Sequence, residues 1–123
     1  MNQNNVAIAV AYYTAIGEKN VAGVEKLLHP DVQFIGPLDE RTGKEAVLEA
    51  IKGFSAQLKT LKIRAKFESG EQAMIAYDVE FPEPIGKIRG AALMTIQEGL
   101  ITKIELFYDA SPIGKMKDKI FSK

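Results

Sequence analysis

At Leu61 the spacing of apolar residues changes from helical to alternating, and that one switch limits the folds open to this chain. Ahead of it, Val6, Val10, Tyr13 and Ile16 recur every three to four residues, which predicts a helix from about Asn5 to Lys19. Asn20 is placed to cap a second, short helix carrying Val21, Val24 and Leu27-Leu28 on one face, with Pro30 ending it. Val32 to Gly36 reads as a short strand. Thr42-Gly43-Lys44-Glu45 fits a capping box that opens a third helix through Ala46-Val47, Ala50-Ile51, Phe54 and Leu58. Beyond the switch, Leu61, Ile63, Ala65 and Phe67 alternate with charged residues, and Ile75, Tyr77, Val79 and Phe81 alternate with Ala76, Asp78 and Glu80. Ser69-Gly70, Pro82 to Gly86 and Glu98-Gly99 supply turns, leaving Lys87 to Gln97 and Leu100 to Asp109 as two long strands. Helices first and strands last imply an α+β domain with its helices on one side of an antiparallel sheet.

The chain has 123 residues, enough for one domain with its own core. Sixteen basic residues balance sixteen acidic ones, so no basic excess points to nucleic acid. Cysteine is absent, which excludes disulfides, thiol nucleophiles and thiolate metal sites. With one histidine and no clustered carboxylates, neither a metal nor another cofactor is expected. No secretory signal or apolar run of membrane-spanning length is visible, so the expectation is a cytoplasmic protein without a membrane partner. Residues 1–112 read as the domain, and residues 113–123 as a basic tail, a frayed helix or disordered.

The order helix, helix, strand, helix and then strands resembles the nuclear transport factor 2-like superfamily, and within it the SnoaL-like, polyketide-cyclase-like branch. Tyr12-Tyr13, Leu28-His29-Pro30-Asp31-Val32, Gly36-Pro37-Leu38, Gly43-Lys44-Glu45-Ala46, Gly99-Leu100-Ile101 and Phe107-Tyr108-Asp109 carry the resemblance. It implies a cone-shaped, curved sheet wrapped around helices (a cystatin-like α+β roll), a pocket between the first and third helices, and homodimers paired through the outer sheet face. It does not fix an activity, because one fold hosts many functions.

The ketosteroid isomerases of this superfamily use a tyrosine and two acids. Tyr12 stands near the tyrosine position, but the acid positions fall near Gly36 and Ala92, which cannot move a proton. The Asp-Arg-Asp set of limonene-epoxide-hydrolase-like members would fall near Asp78 and Glu80, with Arg89 on the neighbouring strand; a charge ladder across two strands competes with that reading. His29 and Asp109 remain as catalytic candidates, each with a structural alternative: His29 at a helix end, Asp109 as a turn cap. The aromatic residues, Phe54 among them, carry more of the argument. Tyr12, Phe34, Tyr77, Met94 and Tyr108 are expected to line a pocket for a small apolar or ring-shaped molecule, with Asp109 at or near its rim. The reading is therefore a small-molecule-binding domain, with an isomerase, cyclase or hydrolase activity left open. Its rival is a non-catalytic homodimeric interaction module. In either case the unbroken run Ala91-Ala92-Leu93-Met94 predicts a strand covered on both faces, with Ala91, Leu93 and Phe107 facing a second copy.

Overall fold

The computed structural model describes residues 4–109; the basic tail expected over residues 113–123 lies outside them. Three helices, α1 (Asn5–Gly17), α2 (Val21–Glu25) and α3 (Lys44–Gln57), accompany six strands. The strands are β1 (Leu28–Ile35), β2 (Glu40–Thr42), β3 (Thr60–Ser69), β4 (Gln72–Glu80), β5 (Lys87–Gln97) and β6 (Leu100–Tyr108). They form one sheet in the order β2-β1-β6-β5-β4-β3. It is curved and unclosed.

Asn20 caps the second helix as expected, and Asn4 caps the first. Asn4 accepts from the Ala7 N–H at 3.1 Å, and Asn20 from the Gly23 N–H at 3.0 Å. At the far end of α1, the Lys19 ammonium donates to the Leu58 carbonyl at 2.8 Å and to that of Ser55, tying α1 to the end of α3. Between β5 and β6, Glu98 (φ 53°) and Gly99 (φ 83°) make a two-residue hairpin whose left-handed backbone matches the twist of the flanking strands.

Five expectations need correction. The second helix does not run to Leu28, and Pro30 does not end it: β1 already begins at Leu28 and Pro30 lies within it. The pairing of β1 with β6 is irregular between Leu28 and Gln33, so a residue without an N–H breaks no regular ladder there. His29 consequently sits in a strand, not at a helix end, and its Nδ1 accepts from the Asp31 N–H at 2.9 Å. The sheet is not wholly antiparallel, since β1 runs parallel to β6. Thr42 does not cap α3. It belongs to β2, a strand the sequence reading missed, and pairs with Gln33. The cap residue is Gly43, which makes no side-chain cap bond and whose φ of 98° suits glycine best.

The fifth correction concerns β3. Its register with β4 shifts between Ile63 and Ala65, leaving Arg64 as an extra residue. One extra residue inverts every later side chain. Ile63 therefore pairs with Tyr77 on the helix-facing side, whereas Phe67 pairs with Met74 on the far side and is 65% exposed.

The core lies between the helices and the inner sheet face. Tyr12, Tyr13 and Ile16 from α1 and Val47 and Ile51 from α3 pack with Ile75, Val79, Ala92, Met94, Ile96, Ile101 and Ile104. The fourteen residues of α3 place Val47, Ile51 and Ser55 four apart on one buried face, and the Ser55 hydroxyl is satisfied by the Ile16 carbonyl at 3.1 Å.

Candidate functional site

Strand register lays the inner face out in rows. One row runs Ile63, Tyr77, Gly90, Tyr108; the next Ile75, Ala92, Leu106; a third Ala73, Met94, Ile104, Phe34. In the first two rows β5 contributes only Gly90 and Ala92, so two larger neighbours flank a strip of small residues.

The Tyr77 ring lies across that strip. A Cβ at Gly90 would meet the Tyr77 Oη at 2.7 Å and Cζ at 2.8 Å, so only glycine admits the ring in this position. Beneath it, the Tyr77 and Tyr13 centroids stand 5.0 Å apart, and Tyr13 meets Tyr12 edge to face at 4.9 Å. On the other side of Gly90 is Tyr108, close enough for its charge to act on Tyr77. All four tyrosines of the chain thus fall in one row, from the buried Tyr12 to the half-buried Tyr108.

Burial raises the pKa of every one of these phenols. Tyr12 and Tyr13 are driven well above the ordinary value of 10.0, by desolvation first and then by the neighbouring phenols. Desolvation pushes Tyr77 up to about 12, against the opposing pull of its Tyr13 hydroxyl contact. Tyr108 is raised by desolvation and then by the Asp39 carboxylate. Asp39 is held in turn by Arg41, whose Nε lies 2.7 Å from Oδ2 and whose Nη1 also donates to the Ala46 carbonyl at 3.0 Å. At neutral pH these hydroxyls are uncharged hydrogen-bond donors and not bases.

Of the five expected lining residues, Tyr77 and Tyr108 meet over Gly90, and Met94 and Phe34 flank Ile104 two rows away. Ring contact links Tyr12 to Tyr77 by way of Tyr13. Phe54 packs instead on Phe81, at 5.5 Å. Sequence reading missed two members, Tyr13 and Gly90. Tyr13 looked like ordinary core at helical spacing, whereas a glycine inside a strand was the available signal for a close approach. A side chain on Gly36 would meet Leu106 Cδ1 at 3.7 Å, and Ala92 is the register partner of Leu106. The two positions where the isomerase resemblance looks for acids therefore converge on one leucine, and neither carries a carboxylate.

Asp109 and the hydrolase candidates lie elsewhere. Asp78, Lys87, Ile88, Arg89 and Asp109 line a cleft of about 520 Å3. Asp78 Oδ1 lies 3.6 Å from Arg64 and 4.0 Å from Arg89, and Glu80 lies 3.9 Å from Lys59. These residues make a charge ladder on the far face of the sheet. Among the described residues, no three acidic or histidine side chains gather to hold a metal, and no helix is long and apolar enough to cross a membrane.

A family model described as SnoaL-like domain matches residues 9–104. No curated protein matches the chain. Among solved structures, a nuclear transport factor 2-like protein of unknown function from Cytophaga hutchinsonii superposes with a TM-score of 0.81 at 20% identity, over 93% of this chain and 97% of that one. A protein with a cystatin-like fold from Silicibacter pomeroyi gives 0.82 at 19% identity, over 96% and 85%. A protein assigned as a ketosteroid isomerase from Kribbella flavida gives 0.74 at 17% identity, over 85% and 77%. At such identities these likenesses show the fold alone.

Proposed function

The chain belongs to the SnoaL-like domain family, and from that premise we propose that it binds a small, uncharged, ring-shaped molecule against the strip between Tyr77 and Tyr108. The observation that carries this reading is the gathering of all four tyrosines into one row whose hydroxyls stay protonated. Phenol rings offer apolar walls and their hydroxyls offer donors, which together suit a ring bearing an acceptor oxygen. The row supplies no general base. Gly36 and Ala92 stand where the isomerase resemblance looks for acids, so the proposed role is binding, without proton transfer between paired carboxylates.

The rival reading, a non-catalytic interaction module, draws on the mutual packing of the Tyr12, Tyr13 and Tyr77 rings at the inner end of the row. Titration of the neutral fluorescent probe Nile red separates the two. Binding that weakens at least several-fold in Tyr108→Ala and Tyr77→Ala, but not in Glu105→Ala, supports the small-molecule reading, provided circular dichroism shows each variant folded. A folded wild-type protein that neither binds the probe nor releases a co-purified small molecule in mass spectrometry replaces it with the rival.

A further inference from the structure

The turn between β1 and β2 brings a carboxylate to the open end of the tyrosine row. Strand β1 runs parallel to β6 with Ile35 beside Glu105, so the chain leaves Ile35 heading the same way as Leu106 to Tyr108. The Gly36 N–H closes the turn on the Asp39 carbonyl at 2.8 Å. The turn lies against the inner face, since a Cβ at Gly36 would stand 3.6 Å from the Asp39 carbonyl oxygen, 3.7 Å from Leu106 Cδ1 and 3.8 Å from Phe34 Cε1. Leu106 and Tyr108 share that face. The half-exposed Asp39 carboxylate is near enough to Tyr108 for its charge to act on the phenol.

Arg41 fixes this carboxylate. It is the register partner of Phe34, at the edge of the third row. Its Nε holds Asp39 Oδ2 at 2.7 Å, while its Nη1 donates to the Ala46 carbonyl at 3.0 Å and lies 3.5 Å from Glu49 Oε1. The turn is thereby pinned to the first turns of α3. One Asp39 oxygen is engaged in this way. Among the described residues, Oδ1 accepts no hydrogen bond, and none joins the Tyr108 hydroxyl to Asp39. A protonated phenol and an ionised acceptor thus stand near each other without satisfying each other.

We infer, resting on the small-molecule reading above, that Asp39 determines specificity and that the ring-shaped ligand carries a hydroxyl group, which accepts from the Tyr108 phenol and donates to Asp39 Oδ1. A hydroxyl does both at one atom. An ether or ketone oxygen only accepts and would leave the carboxylate without a donor. An ammonium only donates and would oppose the phenol O–H. A carboxylate or phosphate on the ligand is disfavoured by charge, because Asp39 and Glu49 outnumber Arg41 here. Because the Asp39 acceptor is ionised, the bond it takes is charge-assisted and stronger than one between neutral groups. Arg41 is a positioning residue: it touches the ligand only through the oxygen it leaves available.

Two probes of nearly the same shape test the hydroxyl separately from the ring. 2-Naphthol accepts and donates, whereas 2-methoxynaphthalene accepts but cannot donate. Each is titrated at neutral pH to displace Nile red from the wild type and from Asp39→Ala. The variant is expected to weaken 2-naphthol about fivefold more than 2-methoxynaphthalene, the size a charge-assisted bond gives at a half-exposed site. Tyr108→Phe is expected to weaken both probes and to keep their ratio, so a change in ratio marks Asp39 alone. Circular dichroism checks that each variant folds. If Asp39→Ala does not, Asp39→Asn takes its place, with the ratio expected to move about twofold, since a neutral acceptor makes the weaker bond. A ratio that is the same in the wild type and the folded Asp39 variant overturns the inference and leaves the small-molecule reading standing, because Nile red is still bound. A wild-type protein that binds neither Nile red nor either probe overturns both.

Discussion

Replacing Gly90 by alanine probes the packing at the centre of the tyrosine row. The new methyl group would lie 2.7 Å from the Tyr77 Oη, 2.8 Å from Cζ and 2.9 Å from Cε1, all shorter than a real Cβ tolerates. The ring cannot simply lift away, because Tyr13 stacks beneath it with centroids 5.0 Å apart. Forcing a methyl group into such a site costs about 1–3 kcal/mol. Against that, glycine in a strand interior is itself unfavourable relative to alanine by roughly 0.5–1 kcal/mol. Gly90 is not among the glycines with positive φ, so backbone strain adds nothing to the cost. The net expectation is a loss of up to about 2.5 kcal/mol, centred near 1 kcal/mol, which lowers the melting temperature by several degrees for a domain of this size. Urea denaturation of Gly90→Ala, Tyr77→Ala and the double variant closes a double-mutant cycle. With the ring removed, the methyl group has room and Gly90→Ala should become neutral or stabilising. A stabilising Gly90→Ala with Tyr77 still present would refute the claim that the ring lies over the strand.

Two further outcomes follow from the same fold. Thr42→Ala should change stability in denaturant melts by no more than about 0.5 kcal/mol, against the roughly 1 kcal/mol that loss of a true cap costs, because Thr42 caps nothing. Raising the pH above 10 should destabilise the fold. The unfolded phenols release their protons near 10.0 while Tyr77 holds its own to about 12, so the folded state binds more protons and stability falls as pH rises. Phenolate absorbance and circular dichroism followed together should change in one cooperative step, and phenolate absorbance that rises fully with native ellipticity intact would contradict the burial of the row.

The sequence makes the α+β order plain because each element repeats its own period over enough residues, as in Ile75, Tyr77 and Val79, and because Glu98-Gly99 admits few conformations other than a tight hairpin. Three features escaped it for physical reasons. Pairing of β1 with β6 joins residues about seventy positions apart, and no local pattern announces such a contact or its direction. The extra residue at Arg64 leaves the written alternation intact while reversing its meaning, so Phe67 reads as core and emerges on the far face. A Thr-x-x-Glu spacing has the chemistry of a cap whether or not the chain is helical there, and β2 claims Thr42 first. For the candidate site, Tyr12, Tyr77 and Tyr108 were legible as apolar-face residues, but their union was not. It depends on Gly90, a residue whose contribution is the absence of a side chain.

The row of tyrosines also decides how this protein handles light. It has no tryptophan, so its near-ultraviolet emission comes from the same four rings. With successive centroids 4.9 and 5.0 Å apart along Tyr12, Tyr13 and Tyr77, an excitation taken up by one ring can migrate to the others before it is emitted. Tyr108 is the one member that is not buried, so a dissolved quencher meets the excited group chiefly there. Quenching and depolarisation of the native emission thus report on the open end of the row without any label, and Tyr108→Phe should close that optical window while leaving the other three emitters in place.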